Sequence, residues 1–188
     1  MTDNTPEIPA EEVLELTMDD VNLEPEKPTR YSALSGDTAI NLNDNVISLK
    51  DLFDNFPEGE RSTFAVNPDN ISIDNCNFTA APEELQTHKI VKITLETGQF
   101  IQCTPQSLTL TSEGFRLADD ITLDDSLQTL KCDFNTGESI IENIPITNHE
   151  VVSVKSTPMY TFATEFENIL IPFYEPDTNV MRFTCVKQ

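Results

Sequence analysis

The chain has 188 residues, enough for one domain with a tail or two very small domains. Eleven Lys and Arg stand against 33 Asp and Glu, a formal net charge of −22. That balance excludes direct binding of nucleic acid, which needs clustered cations to neutralise phosphate, and makes an anionic membrane surface an equally poor partner.

The opening Met1–Pro6 has neither a basic nor an apolar region, so no secretory leader is expected. No run approaches the roughly 18 apolar residues of a membrane span. Residues 1–30 form an acidic arm. They hold nine Asp and Glu, four prolines (Pro6, Pro9, Pro25, Pro28) and only Lys27 and Arg30 as cations. Such a segment buries too little apolar area to offset its ordering entropy, so it is expected to be flexible when alone. Inside it, Val13, Leu14, Leu16 and Met18 interrupt the acids. They are the candidate binding residues, able to line a short helix or an added strand on a protein partner. A solvated spacer with incidental hydrophobes fits the same composition.

From Tyr31 the pattern changes to brief apolar runs with period two. Ser48–Phe53 is the best helix candidate, with Ser48 as N-cap and Asp51 three residues on. Ala81–Gln86 reads as one helical turn with Pro82 in its first turn. Lys89–Glu96 puts Val91, Ile93 and Leu95 on one face, Thr97-Gly98 turns, and Gln99–Cys103 returns, a hairpin. Leu108–Thr111 and Phe115–Leu117 repeat the scheme around Gly114, and Leu127–Phe134 and Glu138–Ile141 repeat it around Gly137. Ala118–Ile121 reads as a single helical turn. Asp119, Asp120, Asp124 and Asp125 lack the spacing of an EF-hand loop; solvated turns are expected, with Ile121 and Leu123 directed to the core. Residues 172–188 are expected to add a strand, pairing with the body so as to hide Met181 and Phe183, or else offering an edge to another chain.

The four cysteines, Cys76, Cys103, Cys132 and Cys185, form no C-x-x-C pair, and only His88 and His149 are present. No metal site and no cofactor are expected, and reduced thiols place the protein in the cytoplasm. Cys103 reads as a small core residue, and Cys185, near the terminus, as the more exposed and reactive thiol. His149 reads as a packing or hydrogen-bonding residue and His88 as solvent-facing.

Taken together the blocks resemble a known family. Ala33-Leu34-Ser35-Gly36-Asp37-Thr38-Ala39-Ile40 is similar to the opening C-L-x-G-D-T-x-I of Hint domains, the module of inteins and hedgehog autoprocessing domains. Ile93–Ser107 resembles that family's I-x-L-x-x-G-x-x-I-x-x-T-x-x-H. His149–Val154, followed by Met159–Leu170, resembles its late block, which ends in H-N-F. The resemblance covers residues 33–171, about three quarters of the chain, within a β domain expected over residues 31–171. It implies an all-β, pseudo-two-fold horseshoe with one or two short helices.

The resemblance also implies a chemistry and shows what this chain lacks for it. In Hint domains a Cys or Ser at the first position attacks the preceding carbonyl, helped by a proton-transfer group and by oxyanion donors. Here the first position is Ala33, which has no nucleophilic atom. Thr104 is kept, but the following histidine position is Ser107, and a hydroxyl does not shuttle protons near neutral pH. The late aspartate position is Thr161, and the late His-Asn pair reads Glu167-Asn168. No His-Asn pair follows, and no spliceable partner is expected after Gln188. The expectation is a catalytically inactive Hint-like module, not an enzyme, serving as a structural or protein-binding component through its acidic arm or terminal strand. By analogy with phage-borne members, a virion or its assembly is one setting. Two other readings are an acidic inhibitor that mimics DNA on a basic enzyme, and residual self-cleavage.

Overall fold

The computed structural model describes residues 32–43, 45–59, 61–67, 72–133, 135–175 and 180–187. The acidic arm, with Val13, Leu14, Leu16 and Met18, lies outside the described residues. In chain order the elements are β1 (Leu34–Ser35), β2 (Ala39–Leu42), β3 (Asn45–Ser48), α1 (Leu49–Asp54), β4 (Ser62–Asn67), β5 (Ser72–Ala80), β6 (Glu84–Leu95) and β7 (Phe100–Cys103). They continue as β8 (Leu108–Thr111), β9 (Gly114–Leu117), β10 (Ser126–Asp133), β11 (Glu138–Tyr160), β12 (Ala163–Thr164), β13 (Asn168–Glu175) and β14 (Val180–Lys187). A 3-10 turn spans Ala118–Asp120.

The fold is all-β. One sheet runs in the order β1-β7-β6-β11-β10-β14-β8-β9, with β13 paired to β14; a three-stranded sheet β12-β5-β4 and the pair β2-β3 pack beside it. The three hairpins read from the sequence form as expected. Gly98 at φ 83°, Gly114 at φ 107° and Gly137 at φ 72° take the left-handed backbone that these reversals need. β11 is the spine. Its first half pairs with β10 and its second half with β6, so one 23-residue strand ties the two halves of the body together.

The buried side chains include Leu34, Ile40, Leu52, Ile93, Leu95, Leu127, Phe162 and Ile169, all within one cluster. Each such burial contributes roughly 1.5–3 kcal/mol before entropy is counted. Helix α1 is capped as its sequence signals: Ser48 Oγ accepts from the Asp51 N–H at 3.0 Å. Gly36 answers a close approach, since a Cβ there would lie 2.8 Å from Tyr160 Cε2.

Several expectations are corrected. Ala81–Glu83 has no helical turn and Glu84 already begins β6, because Glu83 is held by Thr161: its N–H donates to Thr161 Oγ1 at 3.1 Å and its carbonyl accepts the Thr161 N–H at 2.9 Å. A tertiary pairing overrides the local proline signal. The sequence does not single out strands β4 and β5. Leu123 is 59 % exposed, whereas Asp125 is buried and ion-paired to Arg116 rather than solvated.

Residues 180–187 form β14, which runs against β13 on one edge and against β10 and then β8 on the other. Its buried face is Val180, Arg182, Thr184 and Val186, while Met181 and Phe183 are half-buried, the reverse of the expected orientation. Cys185, expected exposed, is 1 % exposed, because the strand lies inside the sheet and Asn168 packs on its thiol at 3.5 Å. Among the described residues no helix is long and apolar enough to cross a membrane.

Candidate functional site

Ala33 enters β1, a two-residue strand clamped between β7 and the end of β11: Leu34 pairs with Cys103 on one side and Tyr160 on the other. This clamp fixes the Ser32–Ala33 peptide in the interior, where Ser32 is 2 % and Ala33 0 % exposed. The loop after β7 closes over it. The Thr104 N–H donates to the Ala33 carbonyl at 2.9 Å. The Ala33 N–H reaches two hydroxyls at once, Thr104 Oγ1 at 3.3 Å and Ser107 Oγ at 3.3 Å. Those two hydroxyls are 3.0 Å apart, and Ser107 Oγ also approaches the Ala33 carbonyl at 3.3 Å.

Thr104 and Ser107, 71 and 74 residues from Ala33 in sequence, are thus brought to the buried backbone of Ala33. The loop itself is held as a tight turn. The Ser107 N–H donates to the Thr104 carbonyl at 3.0 Å, and the Ala118 N–H to the Ser107 carbonyl at 2.8 Å. His149, in the middle of β11, donates from Nε2 to the Ala118 carbonyl at 2.8 Å. It braces the loop from behind, in keeping with the hydrogen-bonding part read for it.

The sequence does not single out Ser32 or Lys187. The Ser32 hydroxyl donates to the Lys187 carbonyl and accepts the Leu108 N–H at 3.3 Å. The beginning and the end of the domain are therefore tied together at this site. The one signal for this is that residue 32 precedes the first family position.

The remaining candidates are placed elsewhere. The Thr161 hydroxyl is engaged with Glu83, accepting its N–H at 3.1 Å. Glu167 is exposed on a turn at φ 54°, its N–H donating to the Thr164 carbonyl at 3.1 Å. Asn168 works as a strand mimic: Oδ1 accepts the Val66 N–H at 2.8 Å, and Nδ2 donates to the carbonyls of Val66 at 2.9 Å and Phe166 at 2.8 Å. Its amide closes the edge of β4.

The thiol nearest in sequence to this loop is Cys103. Burial pushes it up to about 12, and the neighbouring Ser107 hydroxyl offsets that only in part. Burial likewise pushes Cys185 to about 12. Among the described residues no group of three or more His, Cys, Asp and Glu is placed to hold a metal ion. At this site the hydroxyls of Thr104 and Ser107 accept the N–H of the buried Ser32–Ala33 peptide, and the Thr104 N–H donates to the carbonyl of the next one, Ala33–Leu34.

No protein-family model matches the chain. In sequence it is 31 % identical over 121 residues to the DNA gyrase B protein of Synechocystis sp. (strain ATCC 27184 / PCC 6803 / Kazusa), a stretch covering 63 % of this chain and 11 % of that protein. The chain thus spans about a tenth of the length of the curated relative it matches. In structure it is similar to a DnaB intein from Synechocystis sp. PCC 6803, with TM-score 0.57 and 17 % identity over 81 % of this chain and 97 % of the other. It is similar to an intein from a hyperthermophile, with TM-score 0.61 and 14 % identity over 84 % and 99 % of the two chains. It also matches a bacterial intein-like domain from Clostridium thermocellum, with TM-score 0.57 and 16 % identity over 79 % and 96 %. The chain has the intein-like Hint fold.

Proposed function

We propose that this chain is a chemically silent Hint module: it grips the Ser32–Ala33 peptide bond where inteins begin their reaction, and lacks the atoms that would open it. The observation that carries the reading is the set of side-chain contacts on Ala33, which come from the hydroxyls of Thr104 and Ser107. Acyl transfer out of residue 33 needs an attacking oxygen or sulfur there; a methyl group supplies none. It also needs a group that exchanges protons near neutral pH, and an aliphatic hydroxyl at position 107 does not. Thr161 is spent on Glu83 and Asn168 on Val66, so neither is free to take over. Cys103 is the one thiol close in register, and burial keeps it protonated.

What remains is a rigid β scaffold with a buried, tied-down junction and a long acidic arm. This supports a structural or protein-binding role. Both edges of β14 are used within the chain, so the arm is the better contact element of the two considered. A likeness confined to 11 % of a gyrase B chain supports a module carried within larger proteins rather than gyrase activity.

The test compares the native chain with Ala33→Cys/Ser107→His. Both are incubated with dithiothreitol or hydroxylamine and weighed by mass spectrometry. The native chain is expected to stay whole, and the double variant to release a fragment ending at Ser32. Release of that fragment from the native chain overturns the reading.

A further inference from the structure

The core-facing side of β8, β10 and β14 mixes threonines with Leu127 and Val186. Thr109, Thr111, Thr129 and Thr184 are buried, while Leu110, Leu130 and Phe183 on the opposite face are only half-buried. On that second face lie two adjoining depressions of about 330 and 390 Å³. They share Ile73, Leu130, Ser139, Leu170 and Phe183, with Phe64 of β4 on one wall. Ile141, on the rim, is 67 % exposed. A continuous apolar groove of this kind marks a contact surface.

The position of Ser32 says what covers it. Ser32 is bonded to the backbone of Lys187 and of Leu108. Two residues along the same strands are Cys185 and Leu110, which line the groove, and period two places each pair on one face. Ser32, the first described residue, therefore lies two residues along β8 and β14 from one end of the groove. Thirty-one residues precede it, and among them Leu14, Leu16 and Met18 alternate with Glu15, Thr17 and Asp19. Met18 is 14 residues from Ser32, a reach of up to roughly 46–50 Å when extended. The stretch of β14 from Lys187 to Phe183 is only roughly 13 Å. A second copy is the poorer occupant, since the arm is tethered to the body and so meets the groove at a higher effective concentration.

We propose that this groove is the docking site of the chain's own Val13–Met18 segment, with Leu14, Leu16 and Met18 laid against Ile73, Leu130 and Phe183. The arm then covers an apolar face of the body and presents its carboxylates to water. A protein partner that needs the groove must displace it. The proposal does not depend on the silence of the Ser32–Ala33 junction.

Cys132 is the built-in reporter. It lines the groove and is half-buried, whereas Cys76, Cys103 and Cys185 are at most 1 % exposed. The full chain and a full-length Leu14→Asp/Leu16→Asp/Met18→Asp variant are labelled with a maleimide, and the labelled peptide is identified by mass. An intramolecular contact predicts that Cys132 reacts about tenfold more slowly in the native chain, independently of protein concentration. Equal rates overturn the proposal. Protection that grows with protein concentration also overturns it, because the occupant is then a second copy. Intact masses from the same samples read the junction separately, so failure of either reading is recognised on its own.

Discussion

The Thr104 N–H donates to the Ala33 carbonyl at 2.9 Å, joining residues 71 apart in sequence at a peptide bond that is wholly buried. The same threonine and Ser107 meet the Ala33 N–H from the other side. A residue held through both of its flanking peptide bonds is a structural member of the domain, and its partners stabilise the fold.

Thr104→Val and Ser107→Ala are each expected to cost about 1 kcal/mol, the net worth of a buried neutral hydrogen bond. Because the two hydroxyls lie 3.0 Å apart and share Ala33, the double variant is expected to deviate from additivity by about 0.5 kcal/mol or more. Urea unfolding of the four chains of this cycle measures it.

Asn168→Ala removes the amide that pairs with both backbone groups of Val66. Leaving them unpaired is expected to cost about 2–3 kcal/mol, with faster hydrogen exchange at Val66 as the local signature. Asn168→Asp keeps the acceptor for the Val66 N–H but sets a carboxylate against its carbonyl, so it is expected to recover only part of the loss.

Asp125 gives a pH dependence. Burial alone would raise its carboxyl. The Thr122 N–H and hydroxyl and the Arg116 guanidinium outweigh burial and hold the carboxyl below the ordinary carboxylate range. A carboxyl depressed in the folded state stabilises the fold fully above its unfolded value of roughly 3.9, and that contribution disappears as pH falls through the folded value. Thermal midpoints measured from about pH 6 down to about pH 2.5 are expected to fall more steeply for the native chain than for Asp125→Asn.

Gly36→Ala places a Cβ 2.8 Å from Tyr160 Cε2 and 3.1 Å from Lys50 Cβ. Tyr160 is 3 % exposed and has little room to yield, so a loss of about 1–3 kcal/mol is expected. Gly98→Ala, at φ 83° with open space around it, is expected to cost about 1 kcal/mol from backbone strain alone.

The hairpins were legible because their signal is local: a glycine at a reversal flanked by alternating apolar residues, as at Gly98, Gly114 and Gly137. Helix α1 was legible for the same reason, through its Ser48 cap. The meeting of Ala33 with Thr104 and Ser107 was visible only as a family resemblance, since composition and periodicity carry nothing across 71 residues. The bond from Asn168 to Val66 spans 102 residues and left no mark at all. Period two in Val180–Lys187 marked a strand but not which face would be buried. That depends on β13, β10 and β8, which arrive from elsewhere in the chain, and this is why Cys185 is buried and Phe183 half-open.

The most direct measurement is the intact mass of the native chain, freshly purified and again after a week at neutral pH with thiol. A silent junction predicts one species at 21.1 kDa in both samples. A shorter species beginning at Ala33, or a complementary fragment ending at Ser32, contradicts the account.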